Sequence, residues 1–301
     1  MPERDAGKYT GAAASGRHML RALRADAGLT QMELALRLAD ADFRVDQAHI
    51  QRIESGAIRR PTASTLDAIL TVGLKVPYRI RIDVLAAFGY RLQWELPIDE
   101  EIELELRLNG DELARTIWPS YMIDYAQRIW GWNRLFPRLI GNAPDDPANA
   151  GFVGLTVLDI LFNPAIGTHR QIANAGTFAP VIVAWFKTMT REYRQDSWFQ
   201  EFMAKAITWP GFAEIWDQIP DGPEVIVEEH SAIPVEIHVP GLATPLLLRP
   251  IHVPVVLDPR FAIIHLVPLN VETQAVCAAW AAEGVEGMVG AGGAPRVAAR
   301  R

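Results

Sequence analysis

Apolar residues recur at helical spacing through the first ninety or so positions, with polar residues filling the opposite faces. The pattern predicts helices over Gly16–Ala27, Gln31–Leu38, Asp46–Ser55, Ser64–Val72 and Tyr78–Tyr90. In the second of these Leu34, Leu36 and Leu38 supply the apolar side; in the third Ile50 and Ile53 do, and Gly56 is the stop. Thr30 with Glu33 forms a capping box. Pro97 and a run of acids between Trp94 and Glu101 read as a linker, followed by an amphipathic helix, Glu100–Trp118, through Ile102, Leu104, Leu106, Leu108 and Leu113, which Asn109–Gly110 threatens to break. The period then changes. Ser120–Ala126 alternates, Arg128–Trp132 follows, and the two read as a hairpin. Helices are predicted over Arg134–Ile140, from Asn163–Pro164 onward, and over Thr177–Arg194, Ser197–Ile207 and Gly211–Ile219. Proline-edged strands follow at Val225–Val227, Val235–Val239, Leu246–Val253 and Phe261–Val267, then a helix, Glu272–Glu283.

Two strands, a helical middle and a return of strands predict an α+β domain with an antiparallel sheet. The chain therefore reads as two domains, an all-α bundle and this α+β body. The boundaries are a flexible arm at 1–15, the bundle at 16–94, a linker and connecting helix at 95–118, the body at 119–270, and a C-terminal helix with a disordered Ala/Gly/Arg tail at 271–301. The body has the order of a PAS-like domain.

The third helix of the bundle carries the candidate chemistry. Opposite Ile50 and Ile53 lie Gln47, Ala48, Gln51 and Arg52. Gln can pair bidentately with adenine and Arg with guanine, and Ala can touch a thymine methyl. Gln31, at a helix N-terminus, is placed to meet a phosphate, and Arg59 and Arg60 can clamp the backbone beside the groove. A small bundle with a solvated Gln/Arg face fits those residues alone equally well. The pattern is longer, however. Leu20–Arg24, Gly28–Leu29–Thr30–Gln31, Glu33–Leu34–Ala35 and the run Ile50 to Gly56 resemble the Cro/repressor-type (XRE) helix-turn-helix family from Leu20 to about Leu74. The resemblance implies double-stranded DNA as partner. One departure is a longer turn, Ala39–Val45, in which Arg44 is a further candidate backbone contact.

Charge fits a DNA-binding head on a body that avoids DNA. Of 29 Lys+Arg and 36 Asp+Glu, residues 1–94 hold 14 and 10, leaving 15 and 26 to the rest. A single cysteine, Cys277, rules out an intrachain disulfide and a Cys-rich zinc site. No signal peptide and no membrane span are expected, and the location expected is cytoplasmic.

The body resembles the ligand-binding domain of MmyB-like transcription regulators from Ser120 to about Asn270. The matching features are the hairpin, Trp132–Asn133, Leu161–Phe162–Asn163–Pro164, the helix with Trp185, and Phe212 with Ile215–Trp216. Asn163 stands where that family often has Asp. The resemblance implies a PAS-like fold that holds a fatty-acid-like ligand and no other cofactor. The candidate wall is Trp130, Trp132, Phe136, Phe162, Phe178, Trp185, Phe186 and Met189, with Arg249 and His252 as candidate partners of a carboxylate. From residue types alone, these rings fit a solid core as well as a lined cavity. A ligand-free dimerisation body is thus one rival reading. Another is a cupin-like metal sensor using His230, His238, His252 and His265 with Glu236, although a His-x-His pair is missing. No nucleophile elbow, phosphate loop or metalloprotease helix suggests an enzyme. A homodimer is expected, because one such head offers few base contacts and a two-fold pair doubles them.

Overall fold

A computed structural model describes residues 16–90, 94–220 and 233–283. The arm at 1–15, the strand at Val225–Val227, His230 and the tail from 284 onward lie outside the described residues. The chain divides into two compact units, mainly residues 1–94 and mainly residues 95–301.

The first unit is helical. α1 (Gly16–Asp26), α2 (Gln31–Ala39), α3 (Gln47–Ser55), α4 (Ala63–Ala68, continued by a π turn Ile69–Gly73) and α5 (Tyr78–Ala87) enclose one core. Leu20, Leu34, Leu38, Ile50, Ile53, Leu66, Ile69, Leu70 and Val84 are all fully buried there. Side-chain caps fix where three of these helices begin: Thr30 and Glu33 close a reciprocal box at α2, Asp46 accepts from the His49 N–H at α3, and Thr62 accepts from the Thr65 N–H at α4. At the end of α3, Gly56 takes φ +83°, a conformation that costs glycine nothing. Leu36 is not part of the α2 core face and is 56% exposed. Two helical positions span about 200°, so Leu36 points away from both Leu34 and Leu38, and Ala35 takes its place inside.

The second unit is a five-stranded antiparallel sheet with helices on both faces. Its strands are β1 (Ser120–Asp124), β2 (Ile129–Trp132), β3 (Val235–Ile237), β4 (Leu246–Pro254) and β5 (Phe261–Pro268), in the order β2-β1-β5-β4-β3. α6 (Asp99–Arg115) covers the outer face, where Ile102, Leu106 and Leu113 join Met122, Phe261 and Ile263. The stretch 95–118 is thus packed into this unit. Arg260, 2% exposed, ties it down by donating to Glu101 (2.9 Å) and to the Glu95 carbonyl (3.2 Å). Leu104 and Leu108 face solvent, since a period of two cannot stay on one side of a helix. Asn109–Gly110 does not break α6, because Asn109 donates back to the Glu105 carbonyl and carboxylate.

α7 (Val157–Phe162), α8 (Ala175–Met189), α9 (Ser197–Ala206) and α10 (Phe212–Gln218) belong to the inner face, and α11 (Val271–Glu283) packs on β4 and β5. Two expected helices differ. Arg134–Ile140 forms only a 3-10 turn, Pro137–Ile140, because Pro137 has no N–H to give a longer helix. Asn163–Pro164 ends a helix rather than starting one: Thr156 caps α7 in a box with Asp159, and Asn163 is its C-terminal residue. Pro164 cannot continue the ladder.

Candidate functional site

In the first unit, α3 is anchored by one side and open on the other. Ile50, Ile53 and Glu54 are buried, while Gln47, Ala48, Gln51 and Arg52 are exposed together. The anchor is ionic as well as apolar. Arg24 of α1 grips Glu54 with two bonds, Nε to Oε1 at 2.7 Å and Nη2 to Oε2 at 2.8 Å, and also donates to the Leu29 carbonyl. Burial works against the Glu54 charge, but the hydrogen bonds from Arg24 and Gln31 and the nearby Arg24 charge outweigh it and hold the carboxyl below the usual range. Three elements, α1, α2 and α3, are thereby locked at one carboxylate.

Two of the expected backbone contacts are placed differently. The Gln31 amide donates to Glu54 Oε2 at 2.8 Å, so its side chain braces α3 instead of reaching out. The Arg60 guanidinium lies over the Tyr90 ring, 5.0 Å from its centroid, and Tyr90 in turn donates to the Pro61 carbonyl. Arg59 and Arg44 are exposed. Arg52 Nε folds back onto the Ala48 carbonyl at 3.3 Å. In the lengthened turn Asp42 takes φ +62°, and the Leu38 carbonyl accepts from both Ala41 and Phe43.

In the second unit a cavity of about 380 Å³ lies between the inner face of the sheet and the helices. Its floor is Tyr121, Pro250, His252, Ile264 and Leu266, and its walls come from the 3-10 turn after β2, from α7 and from α8. Of the expected wall, Phe136, Phe178, Trp185, Met189 and His252 line it. On α8 the spacing explains the choice: Phe178, Ile182, Trp185 and Met189 fall on one stripe.

Trp130, Trp132, Phe162, Phe186 and Arg249 do not line it. Trp130 is on the outer face, where its indole N–H donates to Asp124 at 3.0 Å. Trp132 packs behind the wall against Phe136 and Phe152. Phe162 and Phe186 point away from the cavity into the aromatic part of the same core, with Phe162 edge-on to Phe212 (5.3 Å) and Phe186 stacked on Phe199 (6.1 Å). Arg249 is exposed on the outer face, one residue out of phase with Leu248 and Pro250. The residues that sequence reasoning missed, among them Tyr121, Phe152, Ile160, Gln171 and Ile264, come from five separate elements. For Tyr121 and Ile264 a signal exists, since they pair across β1 and β5 on the buried side.

Among the described residues no group of His, Cys, Asp and Glu is arranged to hold a metal ion, and no helix is long and apolar enough to cross a membrane. His265 hydrogen-bonds Ser120 (2.9 Å) on the outer face, and His252 faces inward, so these two candidates of the metal reading do not converge.

The helices, caps and exposed α3 face describe a helix-turn-helix unit of XRE-like type. Residues 17–77 match the family model of a helix-turn-helix domain. No curated protein matches the chain. A domain of this kind suggests a DNA-binding regulator.

Proposed function

We propose that the chain is a sequence-specific DNA-binding transcription regulator whose second unit binds an elongated apolar ligand of fatty-acyl type. The observation that carries the first half is the α3 face, with Gln47, Ala48, Gln51 and Arg52 exposed on a helix whose opposite side is locked in the core. A helix so held can enter a major groove without losing its seat. A two-fold dimer on a palindromic site, acting in the cytoplasm, completes the reading. Replacing Gln47 or Gln51 by Ala is expected to cost on the order of 1–3 kcal/mol at the specific site and to relax base preference. Replacing Arg59 is expected to weaken all DNA alike and to lower the salt slope by about one unit. Quantitative binding to randomised operators checks both. The docking is wrong if Arg59→Ala changes the base preference and Gln51→Ala does not.

The second half rests on the cavity and its apolar walls, supported by the MmyB-like pattern and the PAS-like order of two strands, helices and three returning strands. Burying an acyl chain yields about 0.8 kcal/mol per methylene. Denaturing the purified protein, extracting it and analysing lipids by mass spectrometry is expected to recover a long-chain compound. The emptied protein is then titrated while operator binding is followed, because a ligand regulates only if it favours one DNA-binding state. No recovered lipid and no binding on titration would leave a dimerisation body instead.

A further inference from the structure

We propose that the protein dimerises through the outer side of α6, which pairs antiparallel with α6 of a second copy. The inference rests on the two-fold reading above and gives that dimer its interface. Ile102, Leu106 and Leu113 anchor α6 on the sheet. On its opposite side Glu100, Leu104, Leu108, Asp111 and Arg115 recur at helical spacing and form one exposed stripe. Leu104 and Leu108 are 42% and 53% exposed, and Ile98 and Ile117, just beyond the two ends of the helix, are 59% and 55% exposed. Single exposed apolar residues are ordinary, but four strung along one helix mark a surface that is covered in use. A groove at the C-terminal end of α6, lined by Ile117, Trp118, Ile251 and Val267, carries the apolar surface onto the sheet.

The order of residues along the stripe says what covers it. An acid, Glu100, stands at its start and a base, Arg115, at its end, with the leucines between them. In a two-fold antiparallel pair the start of one stripe meets the end of the other. An axis between Arg107 and Leu108 puts Glu100 of each copy opposite Arg115 of the other. The same axis puts Ile98 opposite Ile117, beside the groove, so one register matches both the charged and the apolar ends. The leucines then meet near the middle, and Asp111 comes within a turn of Arg107 of the second copy. Within one copy Arg115 lies 3.8 Å from Asp111 with both side chains exposed, a pair too weak to hold it from a second partner. A parallel pair would instead set Glu100 against Glu100 and Arg115 against Arg115.

The test is sedimentation of the full-length protein and three variants. The native protein is expected to be a dimer at micromolar concentration. Leu108→Arg sets a second cation beside Arg107 of the other copy, and Glu100→Arg faces Arg115; each is expected to raise the dimer Kd at least about tenfold. Adding Arg115→Glu to Glu100→Arg restores opposite charges at both ends and is expected to return most of the affinity, a rescue that an effect on folding alone would not give. All three positions are exposed, so circular dichroism is expected to stay unchanged. Weakening by Glu100→Arg without that rescue overturns the antiparallel pairing. A native dimer that none of the changes weakens overturns the α6 interface and leaves the two-fold reading standing. A monomeric native protein overturns both.

Discussion

Glu54→Ala is expected to be the most damaging single change in the helix-turn-helix unit. The Glu54 side chain is 4% exposed and is shared by Arg24 and Gln31. Its removal leaves the Arg24 guanidinium, 13% exposed, without its partner, and breaking such a pair costs roughly 3–5 kcal/mol. For a domain of this size that lowers the melting temperature by about 12 °C or more. The double change of Arg24 and Glu54 to Met is expected to be milder than Glu54→Ala, because no charge is then stranded. Thermal unfolding followed by circular dichroism ranks the three. A single mutant no worse than the double would mean that the pair holds little. The pH dependence has a definite sign. The folded carboxyl titrates below its unfolded value, near ~4.3, so its contribution is present above that pH and is lost as pH falls through the folded value. Glu54→Gln removes that acid-side slope.

The same unit was legible in the sequence because each of its signals is local. Capping residues, the αL glycine and the three-to-four spacing act within one turn, and Thr30 and Gly56 sit where those rules place them, while Asp46, read as the first residue of its helix, is the N-cap. What was not legible was the use of each polar side chain. Gln31 and Arg60 have the chemistry of phosphate contacts, but each finds a partner far off in sequence, Glu54 and Tyr90. No spacing rule shows a partner 23 or 30 positions away.

In the second unit the strands were legible by alternation and most helices by period, whereas the cavity wall was not. Choosing the aromatics Trp130, Phe162 and Phe186 followed residue type, but the wall follows phase. Trp185 and Phe186 are neighbours in sequence, and one helical step of 100° sends the first to the cavity and the second to the aromatic part of the core. The reversed reading of Asn163–Pro164 has a similar origin. Proline suits the first turn of a helix and also stops one, and only the Thr156–Asp159 box upstream tells which.

Asp124→Ala is expected to have the largest effect in the second unit, because every contact of this buried carboxylate is a donor. The backbone N–H of Arg128 (3.0 Å), Arg128 Nε (2.7 Å) and Trp130 Nε1 (3.0 Å) all converge on it. They close the turn between β1 and β2, in which Gln127 takes φ +60° and its N–H bonds to the Asp124 carbonyl. Truncation strands the Arg128 guanidinium and the indole N–H together, for a loss of about 3 kcal/mol or more. In a unit of this size that is a fall in melting temperature of roughly 6–12 °C. Asp124→Asn is the sharper control. It keeps the shape but turns one acceptor into an N–H₂ that must face a donor, so it too is expected to destabilise clearly. An Asn variant as stable as the native protein would show that shape, and not the carboxylate, holds the hairpin. Trp130 fluorescence reads the local change, and because Trp130 lies on the outer face, ligand binding at Trp185 on the inner face is expected to survive in whatever fraction stays folded.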